Sequence, residues 1–241
     1  IIQYQYYPEM IVSTNGHKPA VGKTEYDLMK AAVDPCVAAI AACDVAPESC
    51  IVATDICNLG LMIPYTLTGM NPYDMRQKCE KPPLCYDFSN VATFLERPEV
   101  VKTLGVEGHR WSDCNHVVAL PFELLGDWMH SYQQKIPDQL ASGIRVLMYA
   151  GDQDYICNWL GNQAWTKALA WPGKAEFNNA IVQNYTRNVQ HPQSTRNVTI
   201  GELRTAKGFS FLRVFNAGHM VPRDQPAAAQ AMMEAFISGE L

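Results

Sequence analysis

The stretch Phe209–Gln225, FSFLRVFNAGHMVPRDQ, decides how the rest of the chain is read. Phe209–Phe215 is an apolar, aromatic-rich run of strand length, and it ends in Ala217 and Gly218 before delivering His219. Such a run, bounded by turn residues, predicts a strand buried on both faces of a mostly parallel sheet. Its counterpart lies upstream in Ile144–Asn158, IRVLMYAGDQDYICN. There Arg145–Tyr149 is a second short apolar run, Ala150-Gly151 is the turn, and Asp152 and Asp154 are the acids it presents. Strand, glycine turn, acid, then strand, glycine turn, histidine is the order in which an α/β-hydrolase sheet presents the last two members of a Ser…Asp…His triad. Functional groups of open α/β sheets gather at the carboxyl ends of the strands. Spacing alone leaves both acids in play: Asp154 lies deeper in the turn, and Asp152 suits a cap of the next helix. No G-x-S-x-G occurs, since Gly208-Phe209-Ser210 lies inside a strand and lacks the second glycine. The serine elbow is therefore expected outside these residues.

Around this pair the expected elements fall into two regions. Trp159–Leu169 reads as a helix, Gly173–Thr205 as polar exposed loops or a hairpin, and Pro226–Ile237 as a terminal amphipathic helix. Upstream, Leu28, Met29, Ala32, Val33, Cys36, Val37 and Ile40 recur at helical spacing. Thr24 with Asp27 is the expected cap of that helix, and Pro35 is expected to kink or restart it. Ser89–Leu95, Pro98–Leu104 and Pro121–Gln134, the last carrying Trp128, read as further helices, and Asn15-Gly16 as a turn. The expected division is a mostly helical insertion or cap over residues 1–135 and α/β core over residues 136–241.

Cys36, Cys43, Cys50 and Cys57 stand seven apart, with Asp44-Val45-Ala46-Pro47 breaking the helix between the second and third. Two cysteines seven apart on one helix are ~10 Å apart along its axis, too far for the roughly 7 Å Cα separation a disulfide tolerates. The pairs Cys36–Cys57 and Cys43–Cys50 are both centred between Ala46 and Pro47 and would form two rungs across a helical hairpin. Cys79 and Cys85 flank five residues that include Pro82-Pro83, and a disulfide-closed loop is the simplest reading. That loop would hold Tyr73 and Tyr86 rigidly.

At 48% apolar and 18% charged residues, the chain of 241 residues supports a real core. A net charge of −5 with scattered basic residues argues against a nucleic-acid partner. No apolar run reaches the roughly 18 residues a membrane helix needs. The start at Ile1, without methionine, reads as a piece of a longer precursor. No Cys/His cluster has zinc spacing, and neither metal nor cofactor is expected. His17, His109, His116, His130 and His191 show no partner pattern. Eight cysteines and the N-x-T sequons at Asn184 and Asn197 point to the secretory route.

Four stretches, GDQDYICNWLGNQAW (151–165), FNAGHMVPRDQP (215–226), GMNPYDMR (69–76) and KCEKPPLCY (78–86), resemble the serine carboxypeptidases. The likeness runs from Tyr4 to the end of the chain and corresponds to the C-terminal half or so of such an enzyme. It implies the C-terminal part of an α/β-hydrolase fold with a disulfide-bridged helical insertion, and release of C-terminal residues from peptides at acidic pH. It implies Asp154 as triad acid and His219 as triad base. Tyr73, Tyr86 and Met220 would line the leaving-residue pocket. Tyr4, Tyr7, Asn58, Met62, Trp128, Ile156 and Cys157 would line the pocket across the scissile bond. The same cysteine pairs follow from the resemblance. Cys114 would bond near an N-terminus that these residues do not include, and Cys157 would be a free thiol beside the site. The expected partners are a peptide substrate, a segment or chain that carries the serine and is tethered through Cys114, and a second copy of this chain. The expected compartment is the lysosome, the vacuole or the exterior. The chain alone is expected to be inactive. A binding or protective protein without a nucleophile, and a related acyltransferase or lyase on the same scaffold, are the alternatives.

Overall fold

The structure, a computed structural model, describes residues 2–12, 19–191 and 194–241. The expected Asn15-Gly16 turn and His17 lie outside the described residues. The apolar run around Phe209 forms strand β6 (Phe209–Val214), inside a four-stranded sheet. The strand order is β3 (Val146–Gly151), β6, β5 (Ser194–Ala206), β4 (Gln183–His191). β3 and β6 are parallel, in register from Val146 opposite Phe209 to Gly151 opposite Val214. Both strands therefore end level, and their turns open side by side. β5 pairs antiparallel with β6 and with β4, so Gly173–Thr205 resolves into a short helix, Lys174–Asn179, followed by the β4–β5 hairpin.

β6 is buried on both faces, as its composition predicts. Phe209 and Phe211 pack with Ala150, Leu169 and Phe177 on one side. Leu212 and Val214 pack with Ala228, Ala229 and Met232 of the terminal helix Pro226–Ser238 on the other. Each of the phenylalanine, leucine and valine side chains contributes about 1.5–3 kcal/mol on burial. β3 departs from the same expectation. It is the last strand on its side, and Tyr149 is 42% exposed. Among the described residues no strand pairs with its outer edge.

The helical region is built on Lys23–Cys43, whose buried residues Met29, Cys36, Ile40 and Cys43 share one face. That face meets Cys50, Ala53 and Cys57 of the helix Cys50–Cys57, together with Leu61 and Tyr65. Cys36 is bonded to Cys57 and Cys43 to Cys50, with Cα atoms 4.7 and 4.6 Å apart. Cys79 is bonded to Cys85. Pro35 neither ends nor restarts its helix. Both Pro35 and Ala31 lie on the exposed side, where water can serve the carbonyl left without an amide. The Thr24–Asp27 cap is absent: Gly22 is the N-cap, and Asp27 instead accepts from Lys23 at 2.6 Å. The helix expected over residues 121–134 is displaced to His116–Leu124, followed by short 3-10 turns Asp127–Met129 and Gln133–Lys135. Gly126, at φ 67°, ends it.

Between these regions lies a small hairpin, β1 (Met70–Asn71) with β2 (Asp74–Lys78). It touches both active turns.

Candidate active site

The parallel register of β3 and β6 sets the turns 152–158 and 215–220 against one another. Gln153 N donates to Ala217 O at 2.9 Å, and Asp152 N to Val214 O at 2.9 Å. The approach is close enough to demand glycine. A Cβ on Gly151 would lie 2.3 Å from the carbonyl oxygens of both Ala217 and Gly218, and one on Gly218 would lie 2.3 Å from Tyr73 O. The result is contact between Asp154 Oδ2 and His219 Nδ1 at 2.9 Å. The Asp154 side chain is 4% exposed and that of His219 39%. An inner carboxylate thus holds an imidazole whose other side remains open.

The two acids separate by their partners. Asp152 accepts from Asn216 N at 2.9 Å and faces Arg213 at 3.6 Å, so it braces the histidine turn. It does not cap the following helix, Trp159–Ala168; Asn158 does, accepting from Gly161 N at 2.7 Å. Asp154 Oδ1 accepts from Cys157 N at 3.1 Å, and the adjacent Ile156 amide, itself bonded to Pro72 O, adds to the pull on the carboxylate. Burial pushes the Asp154 carboxyl up, and the His219 bond and these amides pull it back. His219 is raised from 6.5 to about 10, first by its bond to Asp154 and then by the Cys157 side chain, against the effect of burial. The pair thus sets a buried carboxylate against the Nδ1 side of an imidazole.

Tyr73 flanks the imidazole, and Tyr86 packs against Tyr73. The Tyr73 ring centroid is 5.3 Å from that of His219 and 5.8 Å from that of Tyr86. The Arg223 guanidinium lies 4.8 Å from the Tyr86 ring centroid. Half-buried Met220 follows His219 and leads into the turn Val221–Asp224. On the other side, Tyr7 donates to Ile156 O at 2.9 Å, and Tyr4 donates to Asn58 Oδ1 at 3.4 Å while its ring meets Tyr7 at 5.1 Å. Asn58 and Met62 bound a π-helical turn, Asn58–Met62, a distortion frequent at functional sites. Cys157 is free and exposed beside His219. Trp128 is 69% exposed on its 3-10 turn. Cys114 is free and half-buried, and both sequon asparagines, Asn184 and Asn197, are exposed on the β4–β5 hairpin.

Among the described residues, donor atoms of Asp154, Cys157 and His219 lie within 4.8 Å of one another, as do those of Cys43, Cys50 and His130. In the first group Asp154 and His219 are already bonded to each other, and in the second the sulfurs are joined as a disulfide.

Sequence reasoning gave no role to Arg76, Asp74 or Asp224. Arg76 grips the fully buried Asp74 with Nε and Nη2 at 2.8 Å each and donates to Asn216 O at 2.9 Å. Asp224 Oδ2 accepts from Gly218 N at 2.7 Å. The available signal was an arginine two residues from an aspartate in an otherwise apolar stretch, YDMR (73–76).

A sheet whose parallel strand ends present a hydrogen-bonded Asp–His pair beneath a disulfide-bridged helical region is of the α/β-hydrolase type. A family model described as serine carboxypeptidase matches residues 1–239, and the chain belongs to that family. It is 41% identical to carboxypeptidase Y of Candida albicans over 100% of this chain and 43% of that protein. It is 40% identical to carboxypeptidase Y homolog A of Ajellomyces capsulatus over 99% of this chain and 43% of that protein. The chain therefore spans about 43% of the length of these curated relatives. Among solved structures, it is similar to Kex1(delta)p, a prohormone-processing carboxypeptidase from Saccharomyces cerevisiae. The TM-score is 0.75 at 20% identity, over 99% of this chain and 52% of that one. No helix of the described residues is long and apolar enough to cross a membrane.

Proposed function

We propose that this chain is the acid–base part of a serine-type carboxypeptidase, with Asp154 as triad acid, His219 as triad base, and the nucleophilic serine supplied by polypeptide outside these 241 residues. The observation that carries the reading is the 2.9 Å contact between a buried carboxylate and a half-open imidazole at parallel strand ends. The outer edge of β3, which pairs with no strand among the described residues, supports it too, since it offers a further strand a place beside the pair. In this reading the serine Oγ attacks the carbonyl of the last peptide bond while its proton passes to the free nitrogen of His219. Asp154 holds the Nδ1–H tautomer and stabilises the imidazolium. The imidazolium then protonates the departing amine, and water cleaves the acyl-enzyme by the same route. Residues 1–135 form the cap, and residues 136–241 form the C-terminal part of the core.

Tyr73, Tyr86 and Met220 would receive the leaving residue. Tyr4, Tyr7, Asn58, Met62, Ile156 and Cys157, joined by Trp128, would receive the residue before it. Cys114 would tether the serine-bearing segment, a second copy of the chain would complete a dimer, and Asn184 and Asn197 would carry glycans in a lysosomal, vacuolar or extracellular setting. The test is release of C-terminal residues from peptides at pH about 5 by the protein isolated with its serine-bearing part. His219→Gln should lower kcat by at least about 10⁴-fold. Met220→Glu should weaken apolar leaving residues more than polar ones. Peptide release untouched by His219→Gln contradicts the reading.

A further inference from the structure

Asp154 and His219 stand on turns 65 positions apart, and a short bond between them needs both backbones held. One segment, Asn71–Arg76, binds both. On the aspartate side, Pro72 O accepts from Tyr155 N at 3.1 Å and Ile156 N at 3.0 Å, and Met75 N donates to Gln153 O at 2.9 Å. On the histidine side, Tyr73 O accepts from His219 N at 2.7 Å. Asn71 Oδ1 fixes the bend between them by accepting from Tyr73 N at 2.8 Å.

Arg76 closes this arrangement. Its guanidinium grips the Asp74 carboxylate through two parallel bonds of 2.8 Å, the geometry in which arginine is both strong and directional. The same group donates to Asn216 O at 2.9 Å and lies 3.6 Å from Asp224 Oδ2, the atom that holds Gly218 N. Asn216 sits at φ 56°, in the left-handed region that asparagine tolerates. Asp74 is fully buried and also accepts from Gln77 Nε2 at 2.8 Å, so removing Arg76 would leave its charge with one side-chain partner.

We propose that Arg76 is a positioning residue of the acid–base pair: by gripping Asp74 on one side and Asn216 O and Asp224 on the other, it locks the histidine turn to the hairpin that carries the aspartate turn. It touches neither reacting atom. The catalytic consequence rests on the function proposed above, while the geometric consequence does not. The groups facing His219 are Asp154, Cys157 and Tyr73, and none of them changes when Arg76 is replaced.

The experiment uses the full chain with ¹⁵N-labelled histidine, as wild type, Arg76→Gln and Arg76→Lys. Arg76→Gln should fold, broaden or lose the downfield His219 Nδ1 proton, and lower the His219 titration midpoint by at least about one unit, a tenfold loss of proton affinity. Lysine restores one contact but not the fork, so Arg76→Lys should fall between. In the assembled enzyme Arg76→Gln should cut kcat about 10–100-fold with KM within about threefold, as expected of a misplaced catalytic group. If Arg76→Gln fails to fold, Asp224→Ala, which frees the Gly218 amide, is read by the same spectra. An unchanged Nδ1 signal and midpoint in the folded variant would overturn the proposal. A wild-type assembly that hydrolyses nothing would overturn the carboxypeptidase reading and leave the spectra to judge the clamp.

Discussion

His219 is tuned by one neighbour more than any other. Asp154 raises it first, Cys157 adds to the rise, and burial opposes both. Replacing Asp154 with Asn should therefore bring the His219 midpoint down from about 10 toward the ordinary 6.5, measurable by NMR titration of the imidazole. The linkage to stability has a definite sign. A histidine raised in the folded state contributes fully below its unfolded value of 6.5, and that contribution is lost as pH rises through about 10. Wild type and Asp154→Asn should thus differ most in thermal midpoint below pH 6.5 and converge above pH 10. The histidine was legible in the sequence, because only one stands directly after a strand-like run and a glycine. The choice of Asp154 over Asp152 came from the family resemblance and not from spacing, because both sit in the same turn and differ only in where the chain directs their carboxylates. The structure separates them by partner: the backbone of Asn216 for one, the imidazole for the other.

At the scale of elements, the site depends on backbone approaches that side chains would block. Gly218→Ala would set a methyl group 2.3 Å from Tyr73 O, a backbone atom that cannot swing away. The expected cost is about 1–3 kcal/mol of stability, as for an overpacked core, seen as a lower midpoint in urea, together with a weakened His219 Nδ1 signal. The two strands that carry the pair were legible, since short apolar runs ending in small residues have few other readings. The helical hairpin was legible for a different reason: cysteines seven apart on either side of a break fix its register. The segment after residue 115 was misread. Apolar residues continue through Leu125, but Asn115 caps the helix by accepting from Val117 N and Val118 N, and left-handed Gly126 ends it before Trp128. A period read from apolar residues alone does not register such a stop.

Over the whole molecule, the outer edge of β3 and the open side of His219 belong together. A strand with apolar residues and a 42% exposed tyrosine at the sheet margin has a composition suited to burial. The chain spans about 43% of the length of these curated relatives. Closing that side would strip water from an imidazole now 39% exposed, and desolvation lowers the proton affinity of a histidine. The most direct test of the account is covalent: treat the assembled protein with a fluorophosphonate and locate the adduct by mass spectrometry. The account predicts a single modified serine on polypeptide outside Ile1–Leu241, with labelling lost in His219→Gln. An adduct on a residue of this chain, or labelling that survives the loss of His219, would contradict it.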